Sequence, residues 1–135
     1  MSNLNRVQLI GRLARAPELR YTPSGQPVTT FSVVTNRYAG GEDGERREVA
    51  DYHNVVVWNL GKRRLAEVVA EHGMKGQLVY VEGRLQTRSW EGQDGQRRRS
   101  TEVVASDVQF LARPARAAEA PATPDEADAI AEEVP

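Results

Sequence analysis

The segment of residues 81–96, "VEGRLQTRSWEGQDGQ", decides how the second half of the chain folds. Side chains alternate between the two faces of a strand, so the segment splits into two sets. One face is mainly aliphatic and carries Val79, Val81, Gly83 and Leu85. The other face is basic and carries Arg84, Gln86, Arg88 and Trp90. Asp94-Gly95 predicts a hairpin turn after it. The largest apolar side chain, Trp90, therefore lies with the arginines and not with the aliphatic face.

Strand patterns continue on both sides of this hairpin. Alternation and β-branched residues predict strands over residues 4–14, 28–38, 51–58, 76–90 and 97–111. Turn-forming residues predict connections at 21–27 and 39–50, the second being a polar loop. The chain is therefore predicted to be almost entirely β-structure.

One helix is predicted within residues 62–73. Its apolar face has the spacing i, i+3, i+4 and i+7 and consists of Leu65, Val68, Val69 and His72. Three strands, a helix and two strands match the five-stranded OB-fold, a Greek-key barrel, with the helix between strands 3 and 4. Gly11 and Gly83 suit the bends that close such a barrel. The pattern alone leaves another small barrel or a sandwich open.

Charge divides the chain into two parts. Residues 1–112 carry 16 Lys and Arg against 13 Asp and Glu, a net charge of +3, while residues 113–135 carry 2 against 6, a net charge of −4. A basic body predicts an anionic partner, although an ordinary solvated surface is the alternative. Residues 113–135 have little to bury, so we predict a disordered acidic tail after a domain of residues 1–112. A short Ala-rich helix is the alternative for the tail.

Several classes of function have no support in the sequence. The chain has no cysteine, and its two histidines, His53 and His72, lie in no metal-binding or catalytic motif. Serine lacks a nucleophile-elbow context. No apolar run is long enough to span a membrane, and no signal pattern opens the chain. We therefore expect no metal, no cofactor, no enzymatic activity and a cytoplasmic location.

Aromatic side chains lie beside polar or basic ones at four positions: Tyr38, Tyr52, Trp58 and Trp90. Flat aromatic rings in a positively charged groove stack on bases of any sequence, while arginine contacts the phosphates. A base would thus be the partner that explains Trp90. The alternatives are a subunit contact for Trp90, core packing for Tyr52 and Trp58, and the end of the barrel for Tyr38.

Three segments resemble, in order, the bacterial single-stranded DNA-binding proteins. They are "LNRVQLIGRLARAPELRYTPSGQPVTTFSVVTN" (4–36), "YHNVVVW" (52–58) and "LAEVVAEHGMKGQLVYVEGRLQTRSWEGQDGQRRRSTEVVASDVQFL" (65–111). The resemblance implies an OB-fold homotetramer that binds single-stranded DNA without sequence preference. It also implies roles in replication, recombination and repair, and a nucleoid-associated location in the cytoplasm.

The resemblance also implies roles for individual residues. The stacking positions are Tyr38, Tyr52, Trp58 and Trp90. The phosphate contacts are Arg6, Arg20 and Arg88, to which strand parity adds Arg84. His53 matches a subunit-contact position. By the same resemblance, the tail residues that would bind replication and repair proteins are Glu132, Glu133, Val134 and Pro135.

The sequence departs from the family pattern in three ways. Tyrosine replaces the commonest tryptophan at positions 38 and 52, and the connection at residues 59–64 is longer than usual. The sequence ends at Pro135 without the terminal Phe that the family's partner proteins bind, which weighs against their recruitment. Two other functions remain open: a primosome-type protein-interaction module, and an OB domain that binds RNA.

Overall fold

A computed structural model describes residues 2–113. Of the predicted tail, residues 113–135, all but Arg113 lie outside the described residues, and these include the four predicted partner-binding positions. In chain order the elements are β1 (Val7–Leu13), β2 (Glu18–Tyr21), β3 (Pro27–Gly40), β4 (Arg46–Trp58), α1 (Leu65–His72), β5 (Leu78–Glu91) and β6 (Arg97–Ala112). No helix within residues 2–113 is long and apolar enough to cross a bilayer.

The five long strands close into the predicted barrel, with α1 between the third and fourth of them. The strand order is β1-β5-β6-β4-β3-β2, and β1 also pairs with β3 through Arg12 and Leu13, which completes the closure. Among the strands of residues 2–113, only β4 and β6 are parallel neighbours. The short strand β2, which the sequence did not predict, adds to the outer edge of β3.

Alternating residues of the strands fill the barrel. The buried core consists of Leu13, Phe31, Val33, Val55, Val57, Leu65, Ala66, Val69, Val79, Val81, Val103, Ala105 and Val108. Glycine occurs where two strands approach too closely for a side chain. A Cβ on Gly11 would lie 2.3 Å from the Val34 carbonyl oxygen, and one on Gly83 would lie 2.2 Å from that of Val104. Both glycines are therefore required by the barrel geometry.

The predicted apolar face of the helix is partly wrong. Leu65 and Val69 are buried, but Val68 is 43% exposed and His72 is also exposed. Ala66 is in the core instead. The reason is a close approach to β3, where the buried Thr29 hydroxyl donates a hydrogen bond of 2.6 Å to the Ala66 carbonyl oxygen. The two-turn helix thus buries a narrow stripe centred on Leu65, Ala66 and Val69.

The prediction of a polar loop over residues 39–50 is wrong. β3 and β4 remain paired as far as Gly40 and Arg46, and the turn occupies only 41–45, where Gly44 has a φ of 81°. We call residues 36–40 and 46–50 the first ribbon. Residues 86–91 and 97–102, from β5 and β6, form a second ribbon. Both extend beyond the core, and their backbone groups pair with each other, so polar side chains are tolerated on either face.

Candidate nucleic-acid interface

Three of the four predicted stacking residues share the outer face of β3 and β4. Phe31, Val33, Val55 and Val57 point into the core, so residues of the other parity point outward. Tyr52 lies opposite Val34, and Trp58 lies opposite Val28. Tyr38 has the same parity on the first ribbon. Tyr38 and Tyr52 are 65% and 67% exposed, whereas Trp58 is half-buried. Neither tyrosine belongs to the core.

The same outer face continues across the sheet to Trp90. Val56 of β4 lies beside Val104 of β6, which lies opposite Arg84 of β5. Arg88 and Trp90 follow Arg84 at alternate positions and therefore have the same parity. Trp90 is 41% exposed. A single outer face thus connects the aromatic residues of β3 and β4 with those of the second ribbon.

The aliphatic face predicted for β5 ends at Gly83. Val79, Val81 and Gly83 are buried, but Leu85 is 48% exposed because the strand has left the barrel at that point. The pairing with β6 shifts register between Glu82 and Gly83. Beyond this bulge both faces of β5 are exposed to solvent. Trp90 and Leu85 therefore have similar access to the core, and they differ in the side chains that surround them.

Arginine lies over an aromatic ring on each ribbon. The Arg88 guanidinium carbon is 5.1 Å from the Trp90 ring centroid, and that of Arg46 is 5.4 Å from the Tyr38 ring centroid. Arg88 also forms an ion pair with Glu102, with Nε 3.4 Å from Oε1. The sequence analysis missed Arg46 because it assigned that residue to a loop. If residues 46–50 had been assigned to a strand paired with residues 36–40, Arg46 would have been expected diagonally opposite Tyr38.

The predicted phosphate-binding arginines differ in their carboxylate neighbours. Arg6 forms an ion pair with Glu82, and Arg20 forms one with Glu18 at 2.8 Å. Arg84 instead donates a hydrogen bond of 3.1 Å to the Gln86 side chain. Among residues 2–113, no carboxylate lies within 4 Å of the Arg84 nitrogens. Arg84 alone of the four predicted arginines therefore has no acidic partner within the described chain.

The four predicted phosphate-binding arginines also differ in where they lie on the surface. Arg20 lies opposite Val28, in the same cross-strand row as Trp58, so it shares the outer face. Arg6 lies just before β1, at the edge of the sheet formed with β5. The structure therefore brings three of these arginines to the aromatic face and leaves Arg6 beside it.

His53 lies on the opposite face of β4 from Tyr52. Its parity is that of the core residues, but it is only half-buried because it lies near the end of the barrel. Its Nε2 is 2.8 Å from the Thr35 hydroxyl. Tyr21 is a 63% exposed aromatic residue that the sequence analysis did not single out. It lies opposite Pro27, which faces the other side of the sheet from Val28, the residue paired with Trp58. Neither residue belongs to the aromatic face.

The long connection at residues 59–64 folds back against β6. Leu60 and Arg63 form an isolated β-bridge, and Gly61 takes a φ of 58° to make the turn. Arg63 Nη2 donates a hydrogen bond of 2.5 Å to Asp107 Oδ1. This bond, with a second from Gln109, lowers the pKa of Asp107 from its usual value. The connection is thus fixed by a charged contact to the barrel.

The remaining shifted groups lie at the start of α1. The hydrogen bond from Arg64 lowers the pKa of Glu67, and the same bond raises the pKa of Arg64. Within residues 2–113, no three side chains of histidine, aspartate or glutamate gather in a cluster that could hold a metal ion.

Comparison with known proteins identifies related sequences. The model of the "Single-strand binding protein family" matches residues 4–111. A single-stranded DNA-binding protein of Bacillus cereus is 52% identical over 108 residues, covering 80% of this chain and 60% of that protein. Single-stranded DNA-binding protein A of Bacillus subtilis is 54% identical over 108 residues, covering 80% and 59%. The chain therefore spans about 60% of the length of these curated relatives.

Solved structures of single-stranded DNA-binding proteins are also similar to this chain. A Plasmodium falciparum SSB in complex with ssDNA has a TM-score of 0.72 and 32% identity, over 82% of this chain and 97% of that one. A deletion mutant of the single-stranded DNA binding protein from Thermus aquaticus has a TM-score of 0.67 and 36% identity, over 80% and 50%. These similarities confirm the predicted OB-fold.

Proposed function

Because the chain belongs to the single-strand binding protein family, we propose that it binds single-stranded DNA without sequence preference and protects it during replication, recombination and repair. The observation that carries this proposal is the continuous outer face formed across β3, β4, β6 and β5. Bases stack on its aromatic residues, which are Tyr38, Tyr52, Trp58 and Trp90. Stacking tolerates every base because each has a flat π-face.

In this proposal arginine binds the phosphates. Arg84 and Arg88 follow the same face of β5 as Trp90, and Arg20 shares the row of Trp58. Arg6 contributes from the edge of that face. Guanidinium groups neutralise phosphates and release the counterions around them, so binding weakens as salt rises. The binding domain is residues 1–112, and the activity requires neither catalysis nor a cofactor.

We further propose that the active species is a homotetramer. One OB barrel provides a groove for roughly 4–16 nucleotides, so wrapping a longer strand requires several barrels. Within the described chain, one edge of β1 pairs with β5, while the other pairs with β3 only at Arg12 and Leu13. An unpaired strand edge is a template for pairing with another chain. His53 is proposed as a further subunit contact. Light scattering that gives 15.0 kDa would contradict assembly.

The function is tested by fluorescence anisotropy of dye-labelled oligo-dT, with a duplex of equal length as the control. We expect tight binding of the single strand, with a log–log salt slope of about −0.7 for each phosphate neutralised. Equal affinity for the duplex would contradict the proposal. Tighter binding of oligo-U than of oligo-dT would instead favour an RNA-binding domain, and binding to neither would favour a protein-interaction module.

A further inference from the structure

A cleft of about 450 Å³ lies on the outer surface of β5 and β6, at the base of the second ribbon. Its apolar lining includes Leu4, Leu60 and Val104, and its charged lining includes Arg6 and Arg84. Leu4 and Leu60 are 92% and 44% exposed. Sites that hold small molecules have volumes of roughly 300–1,000 Å³, so the cleft is large enough for one nucleotide unit.

Both walls of the cleft are held in place by specific contacts. On one side, the Asn5 side chain donates to the Leu85 carbonyl oxygen and accepts from the Leu85 amide, each at 2.8 Å. The Asn5 amide therefore continues the pairing between β1 and β5 beyond the end of β1. On the other side, the bridge between Leu60 and Arg63 and the ion pair of Arg63 with β6 fix the long connection.

The position of the cleft is between the two groups of aromatic residues. Its floor includes Val104, which lies beside Val56 of β4 and opposite Arg84 of β5. Trp58 follows Val56 on the same face of β4, and Trp90 follows Arg84 on the same face of β5. A strand that stacks on both tryptophans must cross this row, and the cleft lies along it.

The chemistry of the lining suits a nucleotide. Arg6 and Glu82 form an ion pair within the cleft, so their charges offset each other. Arg84 adds one positive charge that no carboxylate of the described chain offsets. Leu60 and Val104 supply an apolar surface beside it. A flat, weakly polar base with a phosphate attached matches this combination of one cation and one apolar wall.

We propose that this cleft is a nucleotide subsite, in which Leu60 and Val104 contact a base and Arg84 binds the adjacent phosphate. The subsite rests on the proposed function and deepens it, because it assigns a role to the long connection at residues 59–64. It makes Leu60 a binding residue, although it is neither aromatic nor charged.

Leu60→Ala tests the apolar wall, with Leu111→Ala as the matched control. Leu111 is 45% exposed and lies about 20 Å along β6 from Val104. Removing a half-exposed leucine from a contact should weaken binding of oligo-dT by about threefold to tenfold. Leu111→Ala should bind as the unchanged protein does. Equal affinities for all three proteins would overturn the subsite while leaving the proposed function intact.

A thiol footprint tests the location directly, because the chain contains no cysteine. Leu60→Cys and Leu111→Cys would each be alkylated with iodoacetamide, with and without saturating oligo-dT. We expect oligo-dT to slow alkylation at position 60 and to leave position 111 unchanged. Alkylation of Leu60→Cys at the same rate with bound oligo-dT would overturn the subsite.

A different occupant of the cleft would give a different result in these assays. If position 60 is protected without DNA, and more so at higher protein concentration, a second copy of the chain covers the cleft and the subsite is wrong. If the unchanged protein fails to bind oligo-dT at all, the proposed function fails and the subsite fails with it. The two failures are therefore distinguishable in one set of measurements.

Discussion

Replacing Trp90 by alanine should weaken binding of single-stranded DNA by an amount that its exposure sets. A tryptophan side chain offers up to about 250 Å², of which the 41% that is exposed amounts to roughly 100 Å². At about 25 cal/mol per Å², covering that surface contributes at most about 2.5 kcal/mol. Arg88 already lies over one part of the ring, so a base covers less than this. We therefore expect a loss of about 1–2.5 kcal/mol, which is roughly fivefold to seventyfold in affinity.

The assay is anisotropy of labelled oligo-dT, because the substitution removes an intrinsic fluorophore. Leu85→Ala is the control, since Leu85 is 48% exposed on the same strand but has the opposite parity. Only loss of Trp90 should weaken binding. If Leu85→Ala costs as much as Trp90→Ala, or if Trp90→Ala binds normally, the assignment of the outer face as the DNA-binding face is refuted.

Two further predictions concern charge and backbone. Glu102→Gln frees Arg88 from its ion pair and should tighten DNA binding by about twofold to fivefold, since such pairs are worth up to roughly 1 kcal/mol. Glu91→Gln changes the charge equally on the same ribbon, and an equal gain would show a general field effect instead. Gly83→Ala should lower the free energy of unfolding by about 1–3 kcal/mol, measured by urea denaturation, because its Cβ meets the backbone of β6 at 2.2 Å. Gly40→Ala, whose Cβ would meet nothing within 4 Å, is the control, and equal midpoints would contradict the reasoning.

Much of the barrel could be predicted from the sequence, because a strand with one buried face alternates between apolar and polar residues. The alternation of Val79 and Val81 follows the core, and Asp94-Gly95 marks the second hairpin. The helix was placed correctly, but a period of 3.6 assigned Val68 to the buried face. A helix of eight residues that packs closely against Thr29 buries a narrower stripe than the pattern implies.

The first ribbon could not be predicted in this way. A ribbon that buries neither face leaves no period, so residues 39–50 have the composition of a loop although most of them are paired. The ion pairs were also missed. The contact between Arg88 and Glu102 depends on the register in which β5 and β6 pair. The sequence of a single strand does not determine that register. The family resemblance named the aromatic positions, whereas the pairing of β4 with β6 puts them on one face.

The ion pairs of the free protein have a consequence for how a bound strand moves. In the proposed complex, Arg6, Arg20 and Arg88 each exchange a carboxylate of their own chain for a phosphate. When the phosphate leaves, the carboxylate of Glu82, Glu18 or Glu102 is within reach to replace it. None of these three guanidinium groups would then be left without a partner during the exchange, whereas Arg84 has no carboxylate to return to. In the proposed complex, a bound strand would therefore exchange its phosphate contacts one at a time while the remaining contacts hold it.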